Sequence, residues 1–265
     1  MKNLFLIICT VSFLYSCNST LPATSGEKVV AYGYQPLDPL PVDVKVGASI
    51  VDPLSKHNEI LNALGDETMR LAIREIDGSG GATYGPAKIG YKGHSYEVIM
   101  DYMKFQTYPK LFRYSKNNDD VLLFDLVENI PAGVTAINGS TPLYVGIGLR
   151  LTVNITVNEG SIDLGNLFAL GIAAQAKKVS GSLVVQSLGI SGDKITGLIP
   201  MPSEISPTSI QNAIMALATI KSKIYDTDTK ITPRTIGFYN SLGGGKNFLN
   251  SFINNCLKGN AIIQF

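Results

Sequence analysis

The chain has no tryptophan, and only two histidines and three cysteines among its 265 residues. Without tryptophan, the usual sugar-stacking platform is weaker, although 12 tyrosines and 10 phenylalanines remain. Any Ser-His-Asp hydrolase would have to use His57 or His94. No G-x-S-x-G elbow is present, and neither histidine stands in an H-E-x-x-H or other close metal pattern. Charge is also scarce. Asp, Glu, Lys and Arg make up 16% of the chain, against an ordinary share of about 25%. The net charge is +1 with no block of like charges, which disfavours nucleic acid as a partner, because phosphate neutralisation needs a basic face. No apolar run approaches the roughly 20 residues of a membrane-spanning helix. What is abundant is hydrophobic residues, 45%, as expected of a well-buried folded domain.

The chain begins Met1-Lys2-Asn3, followed by an apolar run from Leu4 to Leu14. A short charged start, a short apolar core and a small residue before a cut form the pattern of an export signal. The next residues, Leu14-Tyr15-Ser16-Cys17, resemble the lipobox of bacterial lipoproteins. Leu14, Ser16 and Cys17 match its positions, and Tyr15 departs from the usual Ala, Ser or Thr. The resemblance covers about 20 residues and is silent on the domain behind them. It implies a signal peptide over residues 1–16, a diacylglycerol on the Cys17 thiol and cleavage in front of Cys17. Two or more acyl chains then give stable attachment, where one is marginal. Asn18, standing where an Asp would retain such a protein in the inner membrane, favours the outer membrane, facing the periplasm.

Residues 17–41 read as a tether. Ser19, Thr20, Thr24, Ser25 and Gly26 suit a flexible segment, and Pro36, Pro39 and Pro41 an extended one. With Cys9 lost in the signal and Cys17 acylated, no intramolecular disulfide is expected at Cys256, and its apolar helical surroundings suit a buried small side chain.

Residues 42–265 read as one α+β domain with a mixed or mostly antiparallel sheet. Helices are expected over about 56–76, 164–177, 209–225 and 247–258, from their apolar spacing. The third has a capping pattern in Thr208 and Gln211. Lys88–Phe105 reads as a hairpin turning at Lys92-Gly93, and Val121–Val127 as a central strand covered on both faces. The clearest pattern is Tyr144–Asn158. Val145, Ile147, Leu149, Leu151, Val153, Ile155 and Val157 alternate with Gly146, Gly148, Arg150, Thr152, Asn154 and Thr156. Period two over this length is one long central strand with a buried and a polar face. The same pattern would suit a membrane-inserting strand in an oligomeric pore.

Candidate chemistry is sparse. Gly243-Gly244-Gly245-Lys246-Asn247 sits where a phosphate loop would, but Asn240 replaces its first Gly and Asn247 its Ser/Thr. The acidic clusters are Asp119-Asp120, Asp226/Asp228 and Glu97/Asp101; the first two suit turns and the third a solvated strand face. His57 and His94, the latter beside Ser95, suit solvated positions. The reading is a lipid-anchored envelope protein that binds or scaffolds a protein or glycan partner and is capable of oligomerising. No cofactor or metal is expected. The alternatives are a pore or secretion-assembly component using strand 144–158, and an envelope hydrolase.

Overall fold

The computed structural model describes residues 33–76, 84–85, 89–116, 122–125, 137–241, 246–257 and 261–264. Cys17, where lipidation is expected, Asp119-Asp120 and most of the glycine loop (residues 242–245) lie outside them. In chain order the strands are β1 (Gly33–Val46), β2 (Ser49–Ile50), β3 (Asp66–Ile76), β4 (Ile89–Tyr91), β5 (Ser95–Lys116), β6 (Leu122–Asp125), β7 (Ile137–Val157), β8 (Ser161–Asp163), β9 (Val179–Leu188), β10 (Ile190–Ser191), β11 (Ser203–Glu204), β12 (Lys230–Ile231), β13 (Arg234–Asn240) and β14 (Ala261–Gln264). The helices are α1 (His57–Ala63), α2 (Leu167–Gln175), α3 (Asp193–Thr196), α4 (Pro207–Lys223) and α5 (Lys246–Cys256). The architecture is a mostly antiparallel sheet with helices, curled into a half-barrel.

β7 lies at the fork of the sheet. One of its edges pairs with β5 from Ile137 to Thr156. Its other edge pairs with β13 over Leu143–Gly146 and then with β9 over Gly148–Val157. β3 continues the sheet beyond β5, and β1 continues it beyond β13. Every odd residue from Val145 to Val157 is at most 2% exposed and belongs to the main hydrophobic cluster, which also takes in Ile210, Ala213, Leu217 and Ile220 of α4. The opposite, concave face carries a smaller cluster of Tyr34, Ala72, Tyr84, Ile99, Met103, Phe105, Tyr144, Leu188 and Ile236. Gly146 and Gly148 lie on that face. A Cβ on Gly146 would stand 2.1 Å from the Lys104 carbonyl oxygen, and one on Gly148 2.3 Å from that of Tyr102. The missing side chains let β5 and β7 close against each other where β7 passes from β13 to β9.

Four expectations change. Residues 56–76 are not one helix: α1 ends at Ala63, and Asp66–Ile76 pairs residue by residue with Phe105–Ser95 of β5. Gly65 interrupts the helix, and a continuous cross-strand ladder outweighs the partial helical spacing beyond it. The tether stops earlier than Pro41, because Gly33–Pro41 pairs with Asn240–Arg234 and buries Tyr34, Gln35 and Leu37. Pro39 is accommodated in a break in register between Pro36 and Leu40. Lys88–Phe105 is not a simple hairpin, since β4 pairs with β8 while β5 pairs with β3 and β7. Finally, α4 is capped by Ser206 and Ser209 rather than Thr208 and Gln211. Ser206 Oγ accepts from the Ser209 N–H, with Pro207 pre-set at the first turn.

Candidate functional site: a polar clasp on the concave face

The parity of β5 and β7 places polar residues side by side on the concave face. Arg70, Asp101, Arg150 and Gln186 are in register across β3, β5, β7 and β9, as are Arg74, Glu97, Asn154 and Ser182. Asp101 is fully buried and Arg150 is 5% exposed. Arg150 donates from Nε to Asp101 Oδ1 at 2.8 Å and from Nη2 to Oδ2 at 2.7 Å. The same guanidinium donates to the Leu37 carbonyl of β1 at 2.8 Å and the Ile236 carbonyl of β13 at 3.2 Å. The Tyr34 hydroxyl donates to Asp101 Oδ2.

These bonds account for the curl. β1 and β5 are three strand steps apart in the sheet order, about 14 Å if flat, yet a tyrosine side chain spans them. Asp101 and Arg150 therefore clasp the barrel wall. A second clasp lies four residues away along β5. Arg74 Nε and the Tyr84 hydroxyl donate to Glu97 Oε2 at 2.7 and 2.6 Å. The Gln35 amide then bridges to the Tyr84 backbone, donating to its carbonyl at 2.8 Å and accepting from its N–H at 3.1 Å.

The electrostatics follow from this packing. Burial, reinforced by Asp101, holds the Tyr34 pKa well above its ordinary value, and burial with Glu97 does the same for Tyr84. Burial opposes the Arg150 charge, but the hydrogen bonds and charge of Asp101 outweigh it and raise its pKa. Tyr34 and Tyr84 are thus held as hydroxyl donors and Arg150 as a cation, the states that bind Asp101 and Glu97.

The residues expected to carry chemistry are dispersed. Glu97 and Asp101 are on the inward, covered face rather than a solvated one, each engaged by an arginine and a tyrosine. His94 hydrogen-bonds Glu75 through Nδ1, while neighbouring Ser95 bonds Thr156 at 2.8 Å. His57 is not solvated as expected: both ring nitrogens are buried, without a hydrogen-bond partner among the described residues. Asp226 pairs with Lys223 at 3.0 Å and Asp228 with Lys194 at 2.6 Å. Cys256 is buried. Among the described residues no three His, Cys, Asp or Glu groups gather as metal ligands, and no helix is long and apolar enough to cross a membrane. No protein-family model matches the chain, and neither a curated protein nor a solved structure does.

Tyr34, Arg150, Tyr84 and Arg74 were not singled out by sequence reasoning. The one available signal was Arg150 itself, a lone charge at an even position between Gly148 and Thr152.

Proposed function

We propose that the chain is a lipid-anchored cell-envelope protein, held by Cys17, whose domain is a non-enzymatic binding or scaffolding module. The observation that carries the second half is the closure of the concave polar face. Two carboxylates of its polar rows, Asp101 and Glu97, are engaged by arginine and tyrosine donors of the same chain. The lipobox-like Leu14-Tyr15-Ser16-Cys17 carries the first half. With β1 beginning at Gly33, the 16 steps from Cys17 could reach about 55 Å at full stretch. That is enough to hold the domain clear of lipid headgroups. Asn18 favours the outer membrane and its periplasmic face.

The same reading takes strand 144–158 as the central strand of the domain, packed by helices around 164–177, 209–225 and 247–258. Its support is the shared burial of the odd β7 residues with those of α4. A pore or secretion component using this strand would have to pull that face out of the chain's own core. A hydrolase built on His94 would need a nucleophile, and its neighbour Ser95 is engaged with Thr156.

The test has two parts. Wild-type and Cys17→Ala proteins are fractionated after expression in a bacterium. The wild type should follow the outer membrane and the variant the soluble fraction; a variant that stays membrane-bound overturns the anchor. Crosslinked pull-down of the anchored protein should then recover a reproducible envelope protein or glycan partner. Recovery of none, together with hydrolysis of envelope substrates that is lost in His94→Ala, would overturn the binding role in favour of the enzyme.

A further inference from the structure

The two polar rows of the concave face hold three arginines, and two of them are matched. Arg74 has Glu97 and Arg150 has Asp101. Arg70 is the third. It lies directly opposite Asp101 in the β3–β5 register, but both Asp101 oxygens are taken by Arg150 and one also by Tyr34. Arg70 Nε is buried, and among the described residues it has no hydrogen-bond partner and Arg70 makes no ion pair. Its guanidinium carbon instead sits 5.4 Å from the centre of the Tyr144 ring.

That ring is well held. Tyr144 is 6% exposed, meets Phe105 edge-on at 5.1 Å and meets Tyr34 at 5.7 Å. Its hydroxyl makes no hydrogen bond among the described residues. A guanidinium stacked on a fixed aromatic face has lost much of its freedom already, so little more is lost when its N–H fork engages an oxyanion. Two guanidiniums and one carboxylate also leave this row one positive charge in excess, in a partly desolvated place where an unmatched charge is costly. Stacking on Tyr144 offsets only part of that cost.

We propose that Arg70, stacked on Tyr144, is a binding site for an oxyanion group, a carboxylate or a phosphate, of a ligand that completes the polar row. The planar fork of Arg70 supplies paired N–H donors of the kind that fit either group. The site is independent of the lipid anchor, and it gives the binding module a ligand chemistry.

The test uses the full-length chain, purified in detergent, titrated with inorganic phosphate and separately with acetate. Chloride at equal ionic strength serves as the reference. The readouts are thermal unfolding and the arginine Nε–H resonances. Phosphate, acetate or both should raise the midpoint and shift the Arg70 Nε–H signal. The Arg70→Gln variant should lose this response, and Arg70→Lys, which keeps the charge but not the fork, should retain a small part of it. Tyr144→Phe keeps the stack but removes the unpaired hydroxyl, and should weaken the response less than Arg70→Gln. No response to either anion, or an equal response in Arg70→Gln, overturns the proposal. If Arg70→Gln does not fold, the wild-type Nε–H signal decides alone: a saturable shift of Arg70 supports the site and an unmoved signal refutes it. Cys17→Ala should respond as the wild type does, so failure of the anchor and failure of this site are read separately.

Discussion

Asp101 and Arg150 face each other across β5 and β7 and share two hydrogen bonds of 2.8 and 2.7 Å. With side chains 0% and 6% exposed, neither charge has water to fall back on. Arg150→Met would leave the Asp101 carboxylate buried with the Tyr34 hydroxyl alone, and should cost about 3–5 kcal/mol in urea unfolding. The double variant Asp101→Leu/Arg150→Met removes both charges and should recover most of that loss. A double variant as unstable as the single one would mean that the bonds to the Leu37 and Ile236 carbonyls, rather than the ion pair, hold the curl.

The close approach of β5 and β7 rests on missing side chains. Gly146→Ala would drive a Cβ to 2.1 Å from a β5 backbone oxygen, and Gly148→Ala to 2.3 Å from another. Backbone in a paired strand cannot swing aside as a side-chain tip can, so each change should lower stability by about 1–3 kcal/mol or more. Gly65→Ala is the control, because nothing lies within 4 Å of its Cβ position and no left-handed φ is needed there. Thermal unfolding of the three variants checks this, and a Gly148→Ala protein as stable as Gly65→Ala would contradict it.

The alternation of Tyr144–Asn158 is visible in the sequence because one whole face is apolar, and these residues fall largely within β7. The strand's first part, from Ile137 to Pro142, is not visible, since Asn138, Gly139, Ser140 and Thr141 carry no apolar alternation. Helices with a complete stripe, such as Ile210 to Leu217 in α4, are legible for the same reason. Asp66–Ile76 is not, because Met69, Leu71 and Ile76 of this strand are exposed and its pairing with β5, not its pattern, makes it a strand. The clasp is the least legible part. Tyr34 and Asp101 are 67 residues apart and Asp101 and Arg150 are 49. Whether they meet depends on register between strands, which a one-dimensional pattern of buried and exposed positions does not specify.

Two tyrosines of this face make stability depend on alkaline pH. Folding holds the pKa values of Tyr34 and Tyr84 above their ordinary 10.0. As pH rises past about 10, the unfolded chain releases these protons and the folded chain keeps them. The folded state then binds more protons, so stability falls with increasing pH. Their contribution is complete below pH 10 and is lost above it, up to the folded pKa values. Urea midpoints measured from pH 8 to 11 should therefore decline more steeply above pH 10 in the wild type than in Tyr34→Phe/Tyr84→Phe. Equal slopes would show that neither phenol is protected from ionisation by the fold.

The odd face of β7 decides between a core strand and a membrane-inserting one. Ile147, Leu149 and Leu151 are each 0% exposed and share a cluster with residues of α4. As core residues, each is surrounded by protein atoms, and truncating one leaves a cavity. Leu149→Ala and Leu151→Ala should each cost about 2–5 kcal/mol in urea unfolding of the detergent-solubilised protein. Neither should change dye release from vesicles, which should stay at background with the wild type as well. A strand that works by facing lipid gives the opposite pattern. Truncation would then cost little stability in detergent, where the face is wetted by acyl chains, and it would reduce a leakage that the wild type produces. Leakage by the wild type that falls in Leu149→Ala would make β7 a membrane element despite its buried position in the monomer.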